Sequence, residues 1–191
     1  MGEKKALIYA LPTSVEVNGK TYQIESDYRA VLDILAALSD KDLTEEERAI
    51  AALEIFYPDF DDIPLSDYEE ALRKCFRFID HEQDKKEQKK QPTLMSWEQD
   101  FEMIVAPINR IAGFEIRALE YLHWYTFLSY YQEIGDCLFA HVVSIRDKKS
   151  RGKPLDKQER EFYRRNREII DLKTNYTDAE KDILAAWGVS K

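Results

Sequence analysis

The residues of this chain best suited to chemistry are few, and the clearest set lies on one helical stretch. Glu133, Cys137 and His141 recur every fourth residue, which puts a carboxylate, a thiol and an imidazole on one helix face. Those are zinc-binding residue types, but a structural zinc site needs four ligands. The chain has only Cys75 and Cys137, with His81, His123 and His141, so no second Cys/His pair completes a site. A buried cysteine beside a half-exposed histidine explains the spacing, and no metal is expected. Asp59-Phe60-Asp61-Asp62 leading to Glu70 has the outline of a calcium loop. Its register fails, because Ile63 stands where an oxygen ligand belongs and Pro64 where the loop needs glycine. An acidic turn before a capped helix is the better reading. Adjacent carboxylates such as Glu69 and Glu70 lack a setting that would raise a pKa. The six glycines are too scattered for a phosphate-cradling loop, and no serine sits in a nucleophile elbow. With no catalytic residue and no cofactor site to nominate, the expectation is a protein that binds other proteins, not an enzyme.

Two segments remain as candidate partner contacts. The first holds Tyr121, Trp124, Tyr125 and Tyr130, residue types that interfaces favour and that equally well build a core. The second is the basic stretch Arg146 to Lys157, in which Arg146, Lys148, Lys149 and Arg151 can grip phosphate. A solvated helix end explains that stretch too, since cations suit a helix C-terminus. It also lacks the interleaved aromatics of a single-strand binder.

The elements that must position these residues are mostly helices. Val15-Glu16-Val17-Asn18-Gly19-Lys20-Thr21-Tyr22-Gln23-Ile24 reads as a hairpin on a tight Asn-Gly turn, with Val15, Val17, Tyr22 and Ile24 on one face. A lone hairpin is marginal in water, so that face must lie on helices or on another copy. Tyr28, Val31, Leu32, Leu35 and Leu38 then recur at helical spacing. Thr44 with Glu47 caps a second helix, which Pro58 closes. Ser66 with Glu69 should open a third, carrying Tyr68, Leu72, Cys75, Phe76 and Ile79. The run His81 to Thr93 is dominated by Lys, Glu, Gln and Asp and reads as a charged linker.

Beyond it, Ser96 and Gln99 cap a helix with Trp97, Phe101, Ile104, Val105, Ile108 and Ile111 along one stripe. Pro107 should kink or split that helix, and Gly113 should stop it. Ala118 to Ile134 has no wholly polar face and is expected to be one buried helix, ended by Gly135. Asp136 should cap the next, with Phe139, Val142 and Val143. After the loop 150–154, Asp156 with Glu159 opens a charged helix with Phe162, Ile169 and Ile170 on one side. Thr177 with Glu180 caps a last one with Ile183, Leu184 and Trp187. The fold class expected is mainly α: a multi-helix domain with a small N-terminal β-hairpin. Its parts are 1–80 (hairpin plus helices), 81–93 (linker) and 94–191 (helices), or one composite domain.

Apolar residues at 44% suffice for a core in 191 residues, while a net charge of −9 argues against a dedicated nucleic-acid binder. Acids dominate between Glu25 and Asp84, and bases between Arg146 and Arg167. The two halves can pair head to tail between copies, or simply be two solvated faces. No stretch is long and apolar enough to span a membrane. Few cysteines and no signal peptide point to a reducing, soluble compartment.

Several segments taken together resemble one family. They are Leu11-Pro12-Thr13-Ser14-Val15 with the Asn18-Gly19 hairpin, Leu94-Met95-Ser96-Trp97-Glu98-Gln99-Asp100-Phe101, and Ala106-Pro107-Ile108-Asn109-Arg110. Tyr121-Leu122-His123-Trp124 and Ser144-Ile145-Arg146-Asp147-Lys148-Lys149 running into Glu161-Phe162-Tyr163 complete the set. The pattern is similar to that of a small tail-module protein family of phages and prophages of Gram-positive bacteria, encoded near the tape measure gene. The resemblance implies a late protein acting in the host bacterial cytoplasm as a tail assembly chaperone. Its implied partners are the tape measure protein, other tail proteins and further copies of itself. It implies no cofactor and no catalytic residues. The alternatives are a structural tail component retained in the virion and, further off, a nucleic-acid-binding regulator using Arg146 to Lys157.

Overall fold

The computed structural model describes residues 10–81 and 92–173. The central part of the charged linker and the helix expected after Thr177 lie outside the described residues. Among these, one hairpin and eight α-helices follow in order: β1 Ser14–Val17, β2 Lys20–Gln23, α1 Tyr28–Ser39, α2 Glu45–Phe56, α3 Tyr68–Ile79, α4 Trp97–Ala112, α5 Trp124–Gln132, α6 Leu138–Ser150, α7 Lys157–Arg165 and α8 Arg167–Ile170. The protein is mainly α, as its periodicities indicate.

The hairpin forms where alternation and turn chemistry agree. Val15 faces Tyr22 and Val17 faces Lys20 across the antiparallel pair. Asn18 and Gly19 take φ of 47° and 86°, the primed-turn conformation that matches strand twist. Val17, Tyr22 and Ile24 are buried against helices, chiefly α3, and the Tyr22 hydroxyl donates to the Asp62 carbonyl at 3.3 Å.

Three expected caps, at Thr44, Ser96 and Asp156, are present, and Asp27 adds a fourth. Asp27 accepts from the Arg29 amide, Ser96 accepts from the Gln99 amide, and Thr44/Glu47 and Asp156/Glu159 form complete capping boxes. Each satisfies backbone donors that a helix start would otherwise leave free.

One contiguous core serves residues on both sides of the charged stretch. It includes Val31 and Ile34 of α1, Leu53 and Phe56 of α2, Cys75 and Phe78 of α3, Ile104 and Ile108 of α4, and Trp124 and Phe127 of α5. Tyr28 stacks flat on Phe127 at 4.7 Å. A smaller cluster of Val142, Ile145 and Ile170 joins α6 to α8.

Several expectations need correction. Ala118 to Ile134 is not one helix. Residues Ile116–Ala118 make a 3-10 turn, 119–123 are non-helical with a bend at Glu120, and only Trp124–Gln132 is helical. The cause is tertiary: Ser26 to Tyr28 pair with Leu122 to Trp124 like two strands, through Tyr28 N–H to Leu122 O at 2.9 Å and Trp124 N–H to Ser26 O at 2.8 Å. Helix α5 also ends at Gln132, before Gly135. Cys137, not Asp136, caps α6, its thiol accepting from the Ala140 amide at 3.4 Å. Helix α3 starts from the 3-10 turn Leu65–Asp67 without the Ser66 cap. Pro107 lies inside a continuous α4, so the helix passes through it rather than splitting. The charged C-terminal helix does break, at Asn166, into α7 and α8.

Candidate partner-binding clefts

Of the eight residues nominated from sequence, two face inward. Trp124 is 2% exposed, and its indole Nε1–H donates to the Ile79 carbonyl at 3.0 Å, pinning the end of α3. Arg146 is 6% exposed. Its guanidinium makes two parallel bonds to the fully buried Asp100, at 2.6 and 2.9 Å. The remaining donors reach the carbonyls of Ile170, Leu94 and Ile169 at 2.6, 3.0 and 2.8 Å. All five donors of the planar fork are thereby used. Asp100 accepts in addition from the Ser96 amide at 3.0 Å. These two side chains hold the interior together and offer a partner no surface.

The other basic residues are largely paired within the chain. Lys148 contacts Glu159, and Lys149 contacts Asp171 while sitting 3.8 Å above the Tyr163 ring. Arg151 pairs with Asp147 at 2.7 Å. Among the aromatics, Tyr121 is half exposed and bonds the Ser26 hydroxyl at 2.7 Å. Tyr125 and Tyr130 are half-buried, with Tyr125 stacked on Phe78 and Tyr130 edge-on to Phe114. The nominated residues thus do not converge on one site.

Beneath Tyr121 lies a clasp that sequence reading missed. Asp27 accepts from the Arg29 side chain at 2.7 and 2.9 Å and from the Leu122 amide at 2.8 Å. Arg29 in turn donates to the carbonyls of Leu119 and Glu120. Burial works against ionisation of Asp27, but these hydrogen bonds outweigh it and hold its pKa below the usual value. His123 extends the clasp: its Nδ1 accepts from the Tyr125 amide at 3.0 Å and its Nε2 bonds the Pro12 carbonyl at 2.9 Å. Because Nδ1 must accept, Nε2 carries the proton and the ring is neutral. Burial pushes its pKa down, as does nearby His81, against the opposing Pro12 bond.

Two apolar clefts open beside the segment Leu94 to Ser96. One, of about 480 Å³, lies between α1 and α4, with Leu32 and Leu35 on one wall and Met95, Trp97 and Phe101 on the other. The second, of about 590 Å³, is bounded by Leu94, Met95, Tyr131, Ile134, Phe139 and Val143. Both sizes are in the range of binding clefts, about 300–1,000 Å³. The first cleft was partly legible: Leu32 and Leu35 lie in the α1 stripe, yet the fully buried face of that helix is Tyr28, Val31 and Ile34. An apolar stripe wider than the core it covers leaves a flank for something else.

Among the described residues no group of three or more His, Cys, Asp or Glu is placed to hold a metal ion. Cys137 is engaged as a helix cap, and the His141 ring packs edge-on against Phe162 at 4.6 Å. No helix of the described residues is long and apolar enough to cross a membrane.

The described residues form a small, mainly helical protein with two open apolar clefts. The sequence model of the family described as Bacteriophage Gp15 protein matches residues 7–172, and the chain belongs to that family. It is therefore a bacteriophage protein, which points to virion structure or morphogenesis. No curated protein and no solved structure matches it significantly.

Proposed function

We propose that the chain is a tail assembly chaperone that binds the tape measure protein in the host cytoplasm, without catalysis. The observation that carries this reading is the open apolar cleft between α1 and α4 in a member of a bacteriophage family. A tape measure presents long apolar helical faces that aggregate when left bare. A helper for it needs clefts that take such faces, by helix-in-groove docking, and several copies along the partner's length. The nucleic-acid alternative loses support, because Arg146 is interior and Lys148, Lys149 and Arg151 already have carboxylate partners.

Co-expression with the tape measure protein of the same phage tests the reading. The expected result is soluble tape measure that co-purifies with this chain and is insoluble without it. Insoluble tape measure in both cases refutes the reading. Mass spectrometry of purified particles should find the chain absent, and stoichiometric presence would make it a structural tail component instead.

A further inference from the structure

The two clefts differ in charge. Among the described residues, the α1–α4 cleft is lined by two carboxylates, Asp33 and Glu98, and by no cation. Both residues are exposed. Neither has an ion-pair partner among the described residues. The second cleft has no charged residue among the described residues of its lining. The acidic character continues past the end of α1, through exposed Asp40 and Asp42 to Glu45, Glu46 and Glu47 in the first turn of α2. A carboxylate on each wall of an apolar floor sets both the shape and the sign of what fits there. The apolar part offers Leu32, Leu35, Trp97 and Phe101 as a seat, and the two acids flank it.

We infer that the α1–α4 cleft takes a basic amphipathic helix, whose apolar face seats on Leu32, Leu35, Trp97 and Phe101 while its flanking Lys or Arg residues meet Asp33 and Glu98. This deepens the chaperone reading and rests on it for the identity of the natural partner. The physical division of labour is that burial of the apolar face supplies most of the affinity, and the acids choose among helices of equal apolarity. Complementary charge across an interface contributes discrimination and on-rate more than raw affinity. A helix with acidic flanks brings carboxylate against carboxylate and is rejected.

Two synthetic helical peptides test it on the full chain. They share one apolar face with Leu and Phe at i, i+4 and i+7, and differ only in Lys or Glu flanks. The Lys-flanked peptide should bind about 2- to 30-fold tighter, the span that two exposed charge pairs provide, with the preference shrinking as salt rises. The double variant Asp33→Lys with Glu98→Lys should reverse the preference. Both positions are exposed and have no ion-pair partner among the described residues, so an unchanged circular dichroism spectrum and thermal midpoint confirm that folding is intact. Ala36→Trp, on the exposed side of α1 within the cleft, should weaken both peptides. Equal binding of the two peptides, or a preference unmoved by charge reversal, overturns the inference. So does a dimer that Ala36→Trp dissociates while neither peptide binds, because the occupant is then a second copy.

The same variants separate this inference from the chaperone reading. Tape measure kept soluble equally well by wild type and by the combined variants overturns the cleft assignment alone. Insoluble tape measure with wild type, alongside charge-selective peptide binding, overturns the chaperone reading alone.

Discussion

Replacing Arg146 by leucine is the sharpest test of how this fold is held. The side chain ties α6 to three pieces of chain: α4 through Asp100, the entry to α4 through Leu94, and α8 through Ile169 and Ile170. Side-chain exposure is 5% for Arg146 and 0% for Asp100, so solvent does not screen the pair. The leucine variant leaves Asp100 as a buried carboxylate without its counter-ion and removes the donors from three carbonyls. Breaking a buried pair on one side costs about 3–5 kcal/mol, a large fraction of a typical stability of about 5–15 kcal/mol. With a slope of about 2 kcal/mol per molar urea, the midpoint of urea unfolding should fall by about 2 M. Lys149→Ala is the control, since that half-exposed pair should contribute no more than about 1 kcal/mol. The double variant Arg146→Met with Asp100→Leu should recover part of the loss. Full recovery is not expected, because the Ser96 amide and the carbonyls of Leu94, Ile169 and Ile170 still lack their side-chain partners. An Arg146→Leu variant no less stable than Lys149→Ala would refute the reasoning. The effect should also reach the clefts, since Leu94 and Met95 form part of their walls.

Three further outcomes follow from individual side chains. His123 has its native pKa below the ordinary 6.5, so the unfolded chain binds more protons in that range; stability should be complete above about pH 6.5 and fall as pH drops through the lowered native value. Urea midpoints between pH 8 and pH 5, with His123→Gln compared, check this; a wild-type profile as flat as that of the variant excludes His123 as its source. Burial pushes the Cys75 thiol up to about 12, so at pH 8 a thiol reagent should modify Cys137 in the native protein and reach Cys75 only on unfolding; rapid double modification without denaturant contradicts the packing. Trp124→Phe keeps the aromatic body but removes the donor to Ile79, and equilibrium denaturation should show a loss of about 1–3 kcal/mol.

What the sequence determined by itself is local. The Asn18-Gly19 turn, the caps at Thr44, Ser96 and Asp156, the stop at Gly113, and Cys75 as a core residue each depend on neighbours within about one helical turn. Their physics is complete within a short window, so the structure keeps them. Residues 119–123 went the other way. Their composition suits a helix, but the edge offered by Ser26 to Tyr28 gives their backbone better partners, and a tertiary pairing overrode propensity. Arg146 shows the same limit on the functional side. Its neighbours Lys148, Lys149 and Arg151 make a basic surface stretch, and only the placement of Asp100 46 residues away turns the guanidinium inward. Composition supplied the apolar residues of the α1–α4 cleft, but only the packing of α1 against α4 decided which of them were left uncovered. That decision belongs to tertiary structure because a helix stripe records how much surface must leave water, not which neighbour arrives to cover it.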